Sequence, residues 1–146
     1  MAATREQIMS ALFALVSGSA SFVTASRRLK LWGDVSSAEK PAIFQYERDD
    51  EYKGADRHLP PTVTMNVELY VYTAPGMDSG ITPVSILNPL LDAIDAVLKP
   101  GPGAGGKQTL GGLVSHCWID GKIMKDPGDL DGDGIAMIPI KILATV

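Results

Sequence analysis

Cysteine and histidine are the scarcest chemically reactive residues in this chain of 146 residues, which has one cysteine and two histidines. A lone Cys117 cannot form a disulfide within the chain, so we expect a fold that does not depend on an oxidising compartment. Cys117 and His116 are neighbours on a predicted strand and therefore point to opposite faces, which excludes them as joint zinc ligands or as a nucleophile and base. Only the distant His58 remains as a partner for the thiol.

Long apolar runs are also absent. No segment approaches the roughly 18 consecutive apolar residues that a membrane-crossing helix needs. The first six residues lack the basic start and the uninterrupted apolar core of a secretion signal. We therefore expect a protein that is made in a cytoplasm, is kept or assembled there, and has no membrane partner.

Positive charge is in deficit as well. The chain has 13 Lys and Arg against 17 Asp and Glu, a formal net charge of −4. A sequence-independent grip on nucleic-acid phosphates requires clustered Lys and Arg, so this balance argues against it. It is compatible with DNA that passes nearby without being held. The length and the apolar content of 45% indicate a single globular domain over residues 1–146.

An acidic turn near the C-terminus imitates a calcium-binding loop. Asp129, Asp131, Asp133 and Gly134 match positions 1, 3, 5 and 6 of an EF-hand loop, but position 12, which must be a bidentate Glu, is Ile140. The flanking residues are also rich in β-branched side chains. The pattern favours a connection between two strands, and a weak divalent-ion site is the alternative.

A glycine-rich segment, residues 101–107, resembles a phosphate-binding loop without the Ser or Thr that must follow Lys107. It follows a predicted helix and leads into a predicted strand, the reverse of the strand-loop-helix order that aims backbone N–H groups at phosphate. We therefore interpret it as a connector. Paired carboxylates for catalysis need a pocket and a raised pKa, and the solvated acidic runs of this chain indicate neither.

The first helix is predicted from its cap and its periodicity. Thr4 and Gln7 form a capping-box pattern, apolar residues recur at helical spacing from Ile8, and Gly18 is a natural stop. A second helix is predicted to follow Thr82 and to end at Pro100, unless Pro89 moves its start to Asn88.

Five strands are predicted beside these helices, over residues 21–32, 41–49, 62–72, 113–124 and 135–146. The order is α-β-β-β-α-β-β. Two helices on one face of a largely antiparallel or mixed sheet make an α+β two-layer sandwich.

Two strands predict contacts with other subunits. Strand 62–72 places Tyr70 and Tyr72 on the face opposite its apolar core face. The last strand is apolar on both faces, which is typical of a strand that is buried on both. Because two helices cover only one face, we predict a homo-oligomer in which another subunit covers the second. Pro139 predicts an edge or bulge position.

The candidate interface residues lie in segments that are predicted to reach a neighbour. Segment 49–61, which is predicted as a loop or a long hairpin tip, and loop 99–107 are the longest polar connections. The basic pair in strand 21–32 could form salt bridges between subunits. An exposed polar strand face is the alternative for this pair. With the two tyrosines, the candidates are Arg27, Arg28, Asp49, Asp50, Glu51, Arg57, Tyr70 and Tyr72.

Several stretches, in order along almost the whole chain, resemble bacteriophage tail-terminator (tail-completion) proteins of long-tailed phages. The resemblance is carried by structural motifs with no catalytic signature. The stretches are Arg27–Trp32, Lys40–Phe44, Asn88–Ile94, Gln108–Ile123, Asp126–Gly132 and Ile138–Ile142.

The resemblance implies a structural protein of the virion, located at the head-proximal end of the tail. There the family forms a hexameric ring that stops polymerisation of the tail tube protein and offers a docking surface to head-completion (neck) proteins. Genomic DNA passes through the lumen without specific binding. Neither an enzymatic activity nor a cofactor or metal is implied. A head–tail joining (neck) protein and a weakly calcium-binding small domain are the alternatives.

Overall fold

The structure, a computed structural model, describes residues 2–54, 58, 61–74, 80–101, 103, 105–130 and 132–145. Two helices and six strands form the framework. In chain order they are α1 (Arg5–Ser17), β1 (Thr24–Ser26), β2 (Ala42–Lys53), β3 (Thr62–Tyr72), α2 (Val84–Leu98), β4 (His116–Ile119), β5 (Met124–Asp126) and β6 (Ile135–Thr145), with short 3₁₀ turns at Trp32–Asp34 and Ser37–Glu39 between β1 and β2.

The strands form one mixed sheet in the order β1-β2-β3-β6-β4. β1 runs parallel to β2, and the other pairs are antiparallel. β5 also pairs with β6, and because β3 occupies the whole of one edge of β6, β5 lies on the same edge as β4. The predicted α+β sandwich is confirmed.

The first helix forms where its cap predicts it. The Thr4 side chain accepts a hydrogen bond from the N–H of Gln7, and the Gln7 side chain accepts one from the N–H of Thr4, so both ends of the capping box are present. Gly18 follows the last helical residue. The second helix begins at Val84, which resolves the alternative at Pro89 in favour of the earlier start.

The core lies between the helices and one face of the sheet. Alternate residues of β3 and β6 point into it, and their register pairs Val67 with Ile140 and Leu69 with Ile138. Burying one such side chain completely stabilises the fold by about 1.5–3 kcal/mol. The helices contribute Ile8, Met9, Leu12, Val16, Leu87, Leu91, Ile94 and Leu98.

The prediction of a long strand over residues 21–32 is wrong. β1 has only three residues, because the Ser26 hydroxyl accepts the N–H of Arg28 and gives the backbone an alternative to the sheet ladder. The chain then crosses the sheet face away from the helices, where Leu29 packs. It enters β2 at Ala42.

The apolar run 113–124 also differs from its prediction, since it contains β4 and leads into the additional strand β5. β6 is therefore flanked on both sides, and Pro139 is not on an outer edge. It lies between the stretches of β6 that pair with β4 and with β5. Its carbonyl accepts the N–H of Asp120 on that side, so its nitrogen faces a gap in the ladder where no N–H is needed.

Candidate interaction surface

The sheet face away from the helices, called here the open face, is covered at one end by the chain itself. The crossover from β1 to β2 buries a small cluster there, in which the rings of Phe44 and Tyr72 lie 5.5 Å apart. The Tyr72 hydroxyl donates a hydrogen bond to the carbonyl of Lys30 at 2.7 Å. Burial raises the pKa of Tyr72 to about 12. The prediction of Tyr72 as an outward interface residue is wrong, because residues 27–41 cover it.

The remainder of the open face is only partly buried. Tyr70 is half-buried next to the small cluster, and burial raises the pKa of its hydroxyl. Further along, the face carries the half-buried apolar residues of β6 and the exposed Tyr46 of β2. No helix among the described residues covers this part. The half-buried apolar residues on this part of β6 and β4 are Met137, Pro139, Leu143 and Trp118, and Ile135 packs against the small cluster.

Charges of both signs surround this apolar strip. The Asp120 carboxylate accepts a hydrogen bond from the Trp118 indole at 3.1 Å and lies 3.4 Å from the Lys141 ammonium. The indole hydrogen bond first, and then the ammonium, hold the pKa of Asp120 below its ordinary value. A shallow depression of about 270 Å³ separates this group from Arg48 and Glu68 on the neighbouring strands. Such a surface suits a macromolecular contact, with an apolar centre and a charged rim.

Of the two predictions for residues 49–61, the hairpin agrees with the structure and the loop does not for Asp49, Asp50 and Glu51, since β2 continues to Lys53 and pairs with β3 throughout. A bulge at Arg48 shifts the register, and beyond it Asp49 pairs with Asn66 in the ladder. Side-chain contacts support the extension. The Asn66 amide donates to Asp49 at 2.6 Å, and the Arg5 guanidinium donates to Asp50 at 2.7 Å. All three acidic residues remain exposed. Arg57 lies outside the described residues.

Arg27 is engaged within its own chain. Its guanidinium donates to the carboxylates of Glu6 on α1 and Glu47 on β2, the latter at 2.6 Å. These hydrogen bonds raise the pKa of the guanidinium. Arg27 thus connects the first helix to the sheet, which differs from the predicted role in salt bridges between subunits. Arg28, its neighbour, is exposed.

The acidic turn joins β5 to β6, as predicted, and is held against the rest of the fold. The Lys40 ammonium lies 3.4 Å from the Asp133 carboxylate, and the Lys40 side chain is almost completely buried. The backbone of Thr73 donates to the carbonyl of Gly134 at 2.8 Å. A Cβ on Gly134 would lie only 2.5 Å from the Thr73 hydroxyl oxygen, so any other residue there would require the Thr73 side chain or the strand to shift. Asp131 lies outside the described residues.

The glycine-rich connector between α2 and β4 is fixed by Gln108. Its side-chain amide donates to the carbonyls of Val97 and Lys99 at the end of α2, and its backbone N–H donates to His116 Nδ1 at 3.1 Å. These bonds satisfy carbonyls that the helix end leaves free. The segment 99–107 follows α2 and comes before β4, as predicted. Its contact with a neighbouring subunit stays a prediction.

The reactive side chains are separated as the strand geometry predicts. Cys117 is buried in the core, while His116 is half-buried on the open face and stacks on Trp118 at 4.9 Å. Burial raises the pKa of the Cys117 thiol to about 12, so the thiolate that a nucleophile requires is suppressed. Within the described ranges no group of three or more His, Cys, Asp or Glu could hold a metal ion, and no helix is long and apolar enough to span a membrane.

One group of exposed apolar residues was not predicted from the sequence. Leu31 and Trp32 on the crossover and Leu130 on the acidic turn are exposed large hydrophobic residues. No periodic pattern identifies them, and the local sequence shows only that each lies beside turn-forming or charged residues. Comparison with known protein families and with curated proteins gives no match for this chain.

Proposed function

We propose that this protein is a structural component of a bacteriophage tail, a terminator that forms a ring at the head-proximal end of the tail tube. The ring stops tube polymerisation and presents its other side to head-completion proteins. The motifs that resemble the tail-terminator family suggest this role. The fold is compatible with it, since two layers leave one sheet face for contacts with other subunits.

The open face is the observation that carries the proposal. A sheet with helices on one side needs polar residues on its other side if it is to remain in water. Here β6 alternates fully buried residues with half-buried Met137, Pro139, Lys141 and Leu143, while Ile135 on the same face packs against the small cluster under the crossover. In a monomer this apolar strip would be exposed to water, whereas in an assembly another subunit would bury it.

The charge balance supports a passive passage for DNA. A ring that neutralised phosphates would hold the genome, whereas the net charge of −4 provides no excess of cations for that purpose. The lumen through which DNA slides is implied by the resemblance to the tail-terminator family, and the net charge is compatible with it. The neck of the virion is the corresponding location.

Assembly tests the proposal directly. The purified protein should form six-fold rings with a central pore, measured by sedimentation velocity and negative-stain imaging, either alone or on addition of the tail tube protein. Substoichiometric amounts of the protein should shorten the tubes that the tail tube protein forms, and the protein should be visible at one end of each tube. Met137→Asp, which places a charge on the open face, should abolish ring formation, while Ala14→Lys on an exposed position of α1 should not.

Two outcomes would contradict the terminator. The proposal would be wrong if the protein stays monomeric at every concentration and does not change the length of the tubes. Binding to a portal or neck protein without binding to tube ends would replace it by the head–tail joining role. Calcium titration by calorimetry tests the remaining alternative, which predicts heat at millimolar calcium.

A further inference from the structure

Exposed apolar side chains concentrate where β2 begins, β3 ends and β6 begins. These three positions are neighbours in the sheet, since Ala42 pairs with Tyr72 and Tyr72 pairs with Ile135. The segment 28–32 and the turn 128–130 both lie at this end, and we call them together the end surface. Leu130 is 104% exposed, Leu31 71% and Trp32 46%. Several exposed apolar side chains at one end of a sheet mark an interaction site more often than single scattered residues do.

Both parts of the end surface are held in place. The Tyr72 hydroxyl binds the carbonyl of Lys30, and Leu29 is packed beneath the segment. The turn is closed by the N–H of Gly132, which donates to the carbonyl of Gly128 at 2.7 Å, and it is tied to Lys40 through Asp133. Side chains on a fixed backbone lose less conformational entropy on docking, which favours affinity.

The charges of the two parts are opposite. The segment 28–32 carries exposed Arg28 and Lys30 next to Leu31 and Trp32, whereas the turn carries exposed Asp129 next to Leu130. Lys30 also lies near Glu39. The hydrogen bond from the Ser36 backbone is the main cause that lowers the pKa of the Glu39 carboxyl, and the charge of Lys30 is the smallest one. Each part therefore combines an apolar anchor with a charge that the other part complements.

We propose that the segment 28–32 of one copy of this chain binds the turn 128–130 of a second copy. The binding partner of each part is a second copy of the chain, because the same chain carries both the basic segment 28–32 and the acidic turn 128–130, each with its apolar anchor. When the segment 28–32 of each copy binds the turn 128–130 of the next copy, the contact is heterologous, and it closes into a ring when its rotation allows. The inference rests on the proposed function, for which it supplies a subunit contact.

A charge exchange tests this contact in the full-length chain. The double variant R28E/K30E and the single variant D129K should each raise the midpoint concentration of assembly at least tenfold, because like charges then face each other. An equimolar mixture of the two variants should assemble again, since the acidic segment of one then meets the basic turn of the other. Sedimentation velocity measures all three, with circular dichroism to verify folding.

An apolar pair of variants adds a matched control. Leu130→Ser should weaken assembly, and Ile81→Ser, which changes another exposed apolar residue outside both parts of the end surface, should not. If the wild type assembles and the charge variants assemble equally well, or if their mixture stays dissociated, the contact proposed here is wrong while the ring remains. If the wild type neither assembles nor binds tube ends, the proposed function itself fails.

Discussion

At the scale of single residues, burial decides the chemistry of the one thiol. Cys117 points into the core from β4, opposite Ile142 of β6, and burial raises its pKa to about 12. The apolar surroundings disfavour the charged thiolate, which is the form that attacks disulfides and metals. The residue therefore behaves as a small core side chain.

The native thiol should consequently be inert to Ellman's reagent at pH 8. We expect the native protein to release no thionitrobenzoate over an hour and the urea-unfolded protein to release one equivalent. A Cys117→Ser variant is the blank. Rapid reaction of the native protein would show that the strand opens or that the side chain faces solvent.

A buried amide in β2 shows how closely the first helix approaches the sheet. Gln45 is completely buried, and its Nε2 donates to the carbonyl of Met9 on α1 at 3.0 Å. Its Oε1 has no hydrogen-bond partner among the described residues. A buried polar group of this kind fixes the position of the helix at some cost in stability.

At the scale of elements, the acidic turn has a steric requirement that does not involve its carboxylates. Gly128 has a φ of +80°, and a Cβ there would lie 2.7 Å from the backbone of Asp133. Because Gly134 has no side chain, the hydroxyl of Thr73, which follows β3, can hydrogen-bond to the Gly134 backbone just before β6. The turn thus sets where β6 starts.

Gly134→Ala should lower the free energy of unfolding by about 1–3 kcal/mol, because the added methyl group must displace the Thr73 hydroxyl. Urea unfolding followed by circular dichroism measures the change, which should appear in the midpoint with an unchanged slope. Gly33→Ala is the matched control, since a Cβ at Gly33 meets nothing within 4 Å. Equal stability of the two variants would show that β6 can shift to accommodate the methyl group.

At the scale of the whole molecule, a set of ion pairs ties α1 to the edge of the sheet. Arg27 joins Glu6 to Glu47, and Arg5 joins the helix start to Asp50. The Arg27 hydrogen bond, and after it that of Ser10, lowers the pKa of Glu6 below its ordinary value of 4.5. A lowered folded pKa means that this contribution to stability is present above the unfolded pKa and is lost as pH falls through the folded pKa.

The melting temperature should therefore fall as the pH drops below about 4.5, and Glu6→Gln should make this part of the curve shallower. Differential scanning calorimetry between pH 7 and pH 3 measures both. Because the pair is exposed to solvent, 0.5 M salt should reduce the difference between the two proteins. Parallel curves at low salt would show that Glu6 does not bind Arg27 in solution.

Much of the fold was predictable because it depends on local patterns. The cap at Thr4, the strict alternation of residues 62–72 and the helical repeat after Thr82 are each decided by neighbouring residues. The length of β2 was not predictable in this way, since the sequence of its acidic half resembles a solvated loop. Cross-strand partners such as Asn66 and Arg5, distant in sequence, extend it.

The candidate surface was predictable only in part for the same reason. Alternation placed Tyr70 and the second face of β6 correctly, but it also placed Tyr72 outward, and only the path of the crossover shows that this residue is covered. Leu31, Trp32 and Leu130 have no periodicity to identify them. Their exposure follows from where the backbone carries them.

The sequence by itself determined the α+β class, the separation of His116 from Cys117 and the lack of a complete calcium loop at Asp129–Gly134, because these follow from residue spacing along one strand or turn. The tertiary structure alone decided that Arg27 is occupied within the chain and that the acidic turn is held by Lys40. It also brought the segment 28–32 and the turn 128–130 to one end of the sheet. Such relations depend on strand order and register, which pair residues too far apart in sequence for any local pattern to connect.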